Sequence, residues 1–190
     1  SLYNATYLTP ANNYCVATTA NTQTVNFPTI STNLLNSGSE VAQNFQIYVE
    51  CSGNVTAGTG ANQFAVGIQA SPAAFNQAQI LGLVNASQGV SALVSDDYEN
   101  NAARAKNVGI YLYKDGGSTP MNFVGQPGQT GSGFPSGNSA GWYNFPVLTQ
   151  SSGTNTRTIP LRAVLKKLPS AGTVTAGTVH ATAYVLVKIQ

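Results

Sequence analysis

The carboxyl-terminal stretch HATAYVLVKIQ alternates without a break. Ala181, Ala183, Val185, Val187 and Ile189 share one side of an extended chain, and Thr182, Tyr184, Leu186, Lys188 and Gln190 share the other. A period of two residues marks a strand with one face toward a core. QNFQIYVEC repeats the pattern with Phe45, Ile47, Val49 and Cys51, and QFAVGIQA repeats it with Phe64, Val66 and Ile68. NVGIYLYKDGG carries Val108, Ile110 and Leu112 into a Lys-Asp-Gly-Gly sequence that predicts a hairpin turn. Further strands are predicted over Tyr3–Thr9, Thr24–Phe27, Val90–Val94, Tyr143–Leu148 and Thr158–Leu165, and the last over Ala181–Ile189.

Helical periodicity is weak: SPAAFNQAQILG predicts one turn after Pro72. Short strands separated by turn-rich segments predict an all-β protein, an antiparallel sandwich or barrel. The segment FVGQPGQTGSGFPSGNSAGW is rich in Gly, Ser and Pro, so residues 122–142 read as a loop insertion within one domain spanning 1–190.

Composition narrows the class. The 190 residues carry 8 Lys or Arg and 6 Asp or Glu, or 7 % charged, against roughly a quarter in a typical soluble domain. Polarity comes from Asn, Gln, Ser and Thr instead, as in secreted β-proteins. A net charge of +2 argues against nucleic acid as a partner, and the single basic pair, Lys166-Lys167, reads as solvated. No apolar run approaches the roughly 18 residues of a membrane helix. The start has no signal-peptide pattern, so a mature or trimmed form is expected. Cys15 and Cys51 are the only cysteines. In this composition a disulfide is favoured over two buried thiols, and closing such a loop contributes on the order of 3–4 kcal/mol.

Catalytic machinery is not visible. The one histidine, His180, lies in the terminal alternation, without a GxSxG context or metal-ligand spacing. Asp96, Asp97 and Glu99 cluster in SDDYEN, but without the spaced oxygen ligands and glycine of a calcium loop, so a solvated acidic turn is expected. No metal, cofactor or enzymatic activity is predicted. GWYNF offers Trp142 and Tyr143 as candidate receptor-binding aromatics. In the simpler alternative, Tyr143 and Phe145 are core and Trp142 covers a sheet end. The sequons at Asn4, Asn54 and Asn85 matter only in a glycosylating host.

Together these features resemble a subunit of chaperone–usher pili, the fimbriae of Gram-negative bacteria. Cys15 in NNYC and Cys51 closing FQIYVEC sit where pilins place their single disulfide, and NVGIYLYKDGG and GTNTRTIPLRAVL resemble their mid-chain and late strands. Pilins end with a glycine fourteen residues from the terminus, alternating hydrophobics and a penultimate aromatic. Gly177 occupies that glycine position, while Ile189 replaces the aromatic.

The resemblance implies an incomplete immunoglobulin-like β-sandwich, a pilin fold lacking its seventh strand and completed by a donor strand. Ala181, Ala183, Val185, Val187 and Ile189 would line the donor groove on one side, and Tyr3, Ala5 and Tyr7 on the other. Gly177 and the terminal carboxylate of Gln190 would join the chaperone contact. The implied partners are a periplasmic chaperone, an outer-membrane usher and neighbouring subunits, and the implied location is an extracellular fimbrium reached through the periplasm. Only SLYNATYLTPANNY precedes Cys15, about enough for the first strand, so a trimmed or donorless subunit is expected. The alternative is a tip adhesin, or its pilin domain, that binds a host glycan or protein receptor through 122–142 and Trp142. A secreted β-sandwich hydrolase is the remote rival.

Overall fold

The computed structural model describes residues 14–18, 21–52, 55–58, 63–86, 88–128, 141–145, 156–169 and 172–189. Two sheets face each other. In the first, β1 (Cys15–Ala17), β2 (Val41–Cys51), β7 (Thr156–Lys167) and β5 (Val108–Lys114) lie side by side in that order, every pair antiparallel. In the second, β4 (Gln63–Ala70) pairs along its length with β8 (Ala183–Ile189). It also pairs over two residues each with β3 (Thr56–Ala57) and β6 (Trp142–Tyr143).

The alternation seen in the sequence sets which side chains meet between the sheets. Ile47 and Val49 of β2, Ile159 and Leu161 of β7, and Phe64 and Val66 of β4 are buried in one cluster. Each such side chain contributes about 1.5–3 kcal/mol on burial. Cys15 and Cys51 are bonded across the β1–β2 pair, at a Cα–Cα distance of 4.0 Å.

Both sheets are also covered outside, which simple alternation does not predict. On β4, the outward positions Ala65 and Gly67 lie under Val124, Trp142 and Leu186. A Cβ at Gly67 would strike the side chains of Val124 and Trp142, so only glycine admits this cover. A strap, residues 121–128, delivers Val124 and stitches the sheets together. Met121 N donates to Leu112 O of β5 (2.7 Å), and Val124 N donates to Ile68 O of β4 (2.8 Å). On the first sheet, Lys166 lies over the Tyr111 ring at 4.4 Å and donates to the Tyr113 hydroxyl at 2.9 Å. Lys166 is therefore engaged rather than merely solvated, and burial pushes the Tyr111 hydroxyl pKa above its ordinary value.

Several expected elements differ. The turn after β5 forms, with Gly117 N donating to Lys114 O, but the chain leaves as the strap and makes no hairpin. Helix α2 (Pro72–Ile80) exceeds one turn, because the Ser71 side chain caps Ala74 N and Pro72 suits the first turn. A short α1 (Thr32–Asn36) was not foreseen and is capped by Ser31. Val90 and Leu93 make single bridges, and Thr24–Phe27 form no ladder. The strand expected over Tyr3–Thr9 lies outside the described residues, as does the end of that over Tyr143–Leu148.

Candidate functional site

Among the described residues, β8 is hydrogen-bonded to a strand on one edge only, while β1 lies near it without pairing. Peptide groups of residues i and i+2 in an extended chain point the same way. Thr182 O accepts from Ser71 N at 3.0 Å, on the β4 side, so the even-numbered residues of β8 face β4. The peptide groups of Ala183, Val185, Val187 and Ile189 therefore face the open edge. Their side chains point between the sheets, where they pack against the main core.

Beyond that edge lies an open cleft of about 440 Å³. Its floor is apolar and comes from both sheets: Phe45, Ile47, Ile68, Leu93, Ile110, Leu112 and Ala163. One wall is Val179–Val185, and the other is Asn21 with Gln23–Phe27. Among the described residues the lining has no Asp, Glu, Lys or Arg, and His180 supplies an imidazole.

The Asn21–Phe27 wall is attached in an unusual way. The first strand stops at Ala17; Thr18 N still donates to Tyr48 O at 3.4 Å, and beyond it the backbone of Tyr48 and Gln46 lies on the outer edge of β2. Asn21 answers Tyr48 twice: its Nδ2 donates to Tyr48 O at 2.8 Å, and its Oδ1 accepts from Tyr48 N at 2.7 Å. Gln23 Nε2 donates to Gln46 O at 2.7 Å. Side-chain amides thus satisfy the edge that a continuing strand would otherwise pair with, which is why the expected strand over Thr24–Phe27 is not one.

The opposite wall is anchored through residues 95–106. Gly177 packs directly on the backbone of Ala103–Ala105, where a Cβ would collide. Arg104 bonds the Asp97 carboxylate (Nε to Oδ1, 2.7 Å) and donates from Nη1 to Thr178 Oγ1 at 2.8 Å. The Arg104 hydrogen bond, helped by Asn101, lowers the Asp97 pKa to about 2, and the same pairing raises that of Arg104. The acidic turn is thus an internal brace. Among the described residues no three His, Cys, Asp or Glu side chains gather as a metal site.

Of the residues singled out from sequence, Ala181, Ala183 and Val185 line the cleft, while Val187 and Ile189 continue its wall on the same face. Gly177 lies on the brace, not in the cleft. Tyr3, Ala5, Tyr7 and Gln190 lie outside the described residues. The Trp142 ring is 2 % exposed, packed with Ala65 and Val124, and Lys188 sits over it at 5.6 Å. The ring is enclosed by these neighbours rather than turned outward. Tyr143 is half-buried: its hydroxyl accepts from Asn122 N at 2.7 Å, and its ring lies 5.7 Å from Phe145. Asn21, Gln23 and the floor residue Leu93 were not singled out from the sequence as site residues.

The comparisons with known proteins agree with this architecture. The P pilus rod subunit PapA aligns over 100% of this chain and 99% of its own, at 15% identity and a TM-score of 0.53. A chain from the structure of a chaperone–usher pilus, solved to explain rod uncoiling, aligns over 100% and 96%, at 16% identity and a TM-score of 0.53. These likenesses concern the fold. No curated protein matches the chain. The family model for fimbrial protein matches residues 3–190, so the chain belongs to the fimbrial protein family.

Proposed function

We propose that the chain is a structural subunit of a chaperone–usher pilus, and that the cleft beside β8 receives a strand from another polypeptide. The observation that carries this reading is the coincidence, among the described residues, of an unpaired strand edge with an uncharged apolar cleft. Peptide groups along Ala183–Ile189 offer generic pairing, and the floor beside Ala183–Val185 offers pockets for alternate side chains. An edge of this kind left bare is an aggregation hazard, so its occupant must arrive early. A periplasmic chaperone would fill it first and an adjoining subunit would replace it in the fibre, with the usher as the site of exchange and the cell surface as the destination. No catalytic role is assigned.

The adhesin alternative receives no help from Trp142, whose ring is packed inside. Periplasmic expression with and without a pilus chaperone tests the proposal. It predicts a soluble one-to-one complex with the chaperone, and aggregation or proteolysis without it. A stable monomer purified without any added strand would overturn it.

A further inference from the structure

We infer that the excursion Ser95–Lys106 is a positioning element of the groove, and that Asp96 is the residue holding the wall segment that β4 does not reach. This rests on the strand-receiving reading of the cleft. The β4–β8 ladder ends at Ala70–Ala183, yet the cleft wall continues back through Thr182, Ala181, His180 and Val179. Beyond the Ser71 N to Thr182 O bond, that stretch has no strand neighbour among the described residues; the excursion takes the place of one.

The bonds alternate as a ladder would. Thr178 N donates to Ala103 O (3.0 Å) and Ala105 N to Thr178 O (2.9 Å). Asp96 N donates to His180 O (2.9 Å), and His180 N donates to Ser95 Oγ (3.0 Å). At Thr182 the Asp96 carboxylate takes over: Oδ1 accepts from the backbone N (3.1 Å) and Oδ2 from the hydroxyl (2.7 Å). The same Oδ1 accepts from Ser71 Oγ at 3.3 Å, and Ser71 is the cap of α2 and the residue after β4. One carboxylate therefore ties the wall to the end of β4 and the start of a helix. Positions 178 and 180 spend their peptide groups on the excursion, and Thr182 divides its own between Asp96 and Ser71, so those of Val179 and Ala181 turn toward the cleft. The excursion thereby extends the strand-receiving edge beyond β8 and sets its position over the floor.

The test combines amide exchange with peptide binding on the parent chain, Asp96→Ala and Asp96→Asn. In Asp96→Ala, the amides of His180 and Thr182 should lose protection, while those of Tyr184 and Leu186, held by β4, should keep it. Asn retains an acceptor for Thr182 N, so Asp96→Asn should restore most of the protection. The peptide probe is a synthetic peptide of about twelve residues alternating valine and threonine, a generic donor strand, used full length and shortened from each end. Asp96→Ala should weaken the full-length peptide roughly ten-fold, the equivalent of about 1.4 kcal/mol. It should leave unchanged a shortened peptide that no longer reaches Val179–Ala181. Unchanged protection at His180 and Thr182, or equal weakening of long and short peptides, overturns the positioning role. If no peptide binds the parent, the strand-receiving reading loses support, while the exchange result still decides whether Asp96 holds the wall.

Discussion

The side chain of Asn21 pairs with the backbone of Tyr48 as a neighbouring strand would, donating to its carbonyl and accepting from its N–H at 2.8 and 2.7 Å. One amide thereby fastens a wall of the cleft to the edge of β2. Asn21→Ala removes both bonds at a part-buried site, and each is worth about 0.5–1.5 kcal/mol. Chemical unfolding should show a loss of about 1–2 kcal/mol. Asn21→Asp should be no better than alanine, because it sets a carboxylate oxygen against the Tyr48 carbonyl.

Gly177 predicts a larger effect from a smaller change. Any side chain there meets backbone atoms of Ala103–Ala105, which cannot rotate aside as a flexible side chain would. Overpacking of this kind costs about 1–3 kcal/mol. Gly177→Ala should lower the unfolding midpoint and expose the amides of Ala105 and Thr178 to exchange, since their bonds to the facing chain depend on the same approach.

Acid should loosen the brace with a defined sign. The Asp97 pKa is about 2 in the folded chain, against about 3.9 when unfolded. A carboxylate with a lowered folded pKa adds stability that is fully present above the unfolded value and is lost as pH falls toward the folded one. Unfolding followed from pH 6 to pH 2 should show the parent losing its advantage over Asp97→Asn between about pH 4 and pH 2. The half-exposed setting of the pair implies that added salt narrows the gap.

Val187 tests the wall itself. It is partly buried against the core, and its peptide groups face the open edge. Val187→Asp places a charge where an incoming strand would pack, and burying an unpaired charge is strongly unfavourable. Co-purification with a pilus chaperone should be lost, while thiol titration should still find the Cys15–Cys51 bond closed. Normal complex formation would remove Val187 from the groove.

What the sequence revealed and what it hid have physical reasons. Ile47, Val49, Val185 and Val187 could be assigned to a face because strand alternation maps directly onto inside and outside. The burial of both faces of β4 was hidden, since Ala65 and Gly67 are small residues whose cover comes from Val124 and Trp142, distant in the chain. Thr24–Phe27 resemble a strand by composition, but the bonds that decide their role are made by the side chains of Asn21 and Gln23. Asp96 looked like part of an acidic turn, because the Thr182 and Ser71 groups that give it a role are brought beside it only by folding.

The most direct test of a strand-receiving edge is residue-resolved amide exchange along β8, with and without a donor strand supplied as a chaperone or an appended alternating segment. The even-numbered amides Tyr184, Leu186 and Lys188 should be protected in both states by β4. Those of Ala183, Val185 and Val187 should exchange rapidly in the open chain and become protected when the strand is supplied. Equal protection of odd and even amides in the open chain, or no change at the odd positions on adding the strand, would contradict the account.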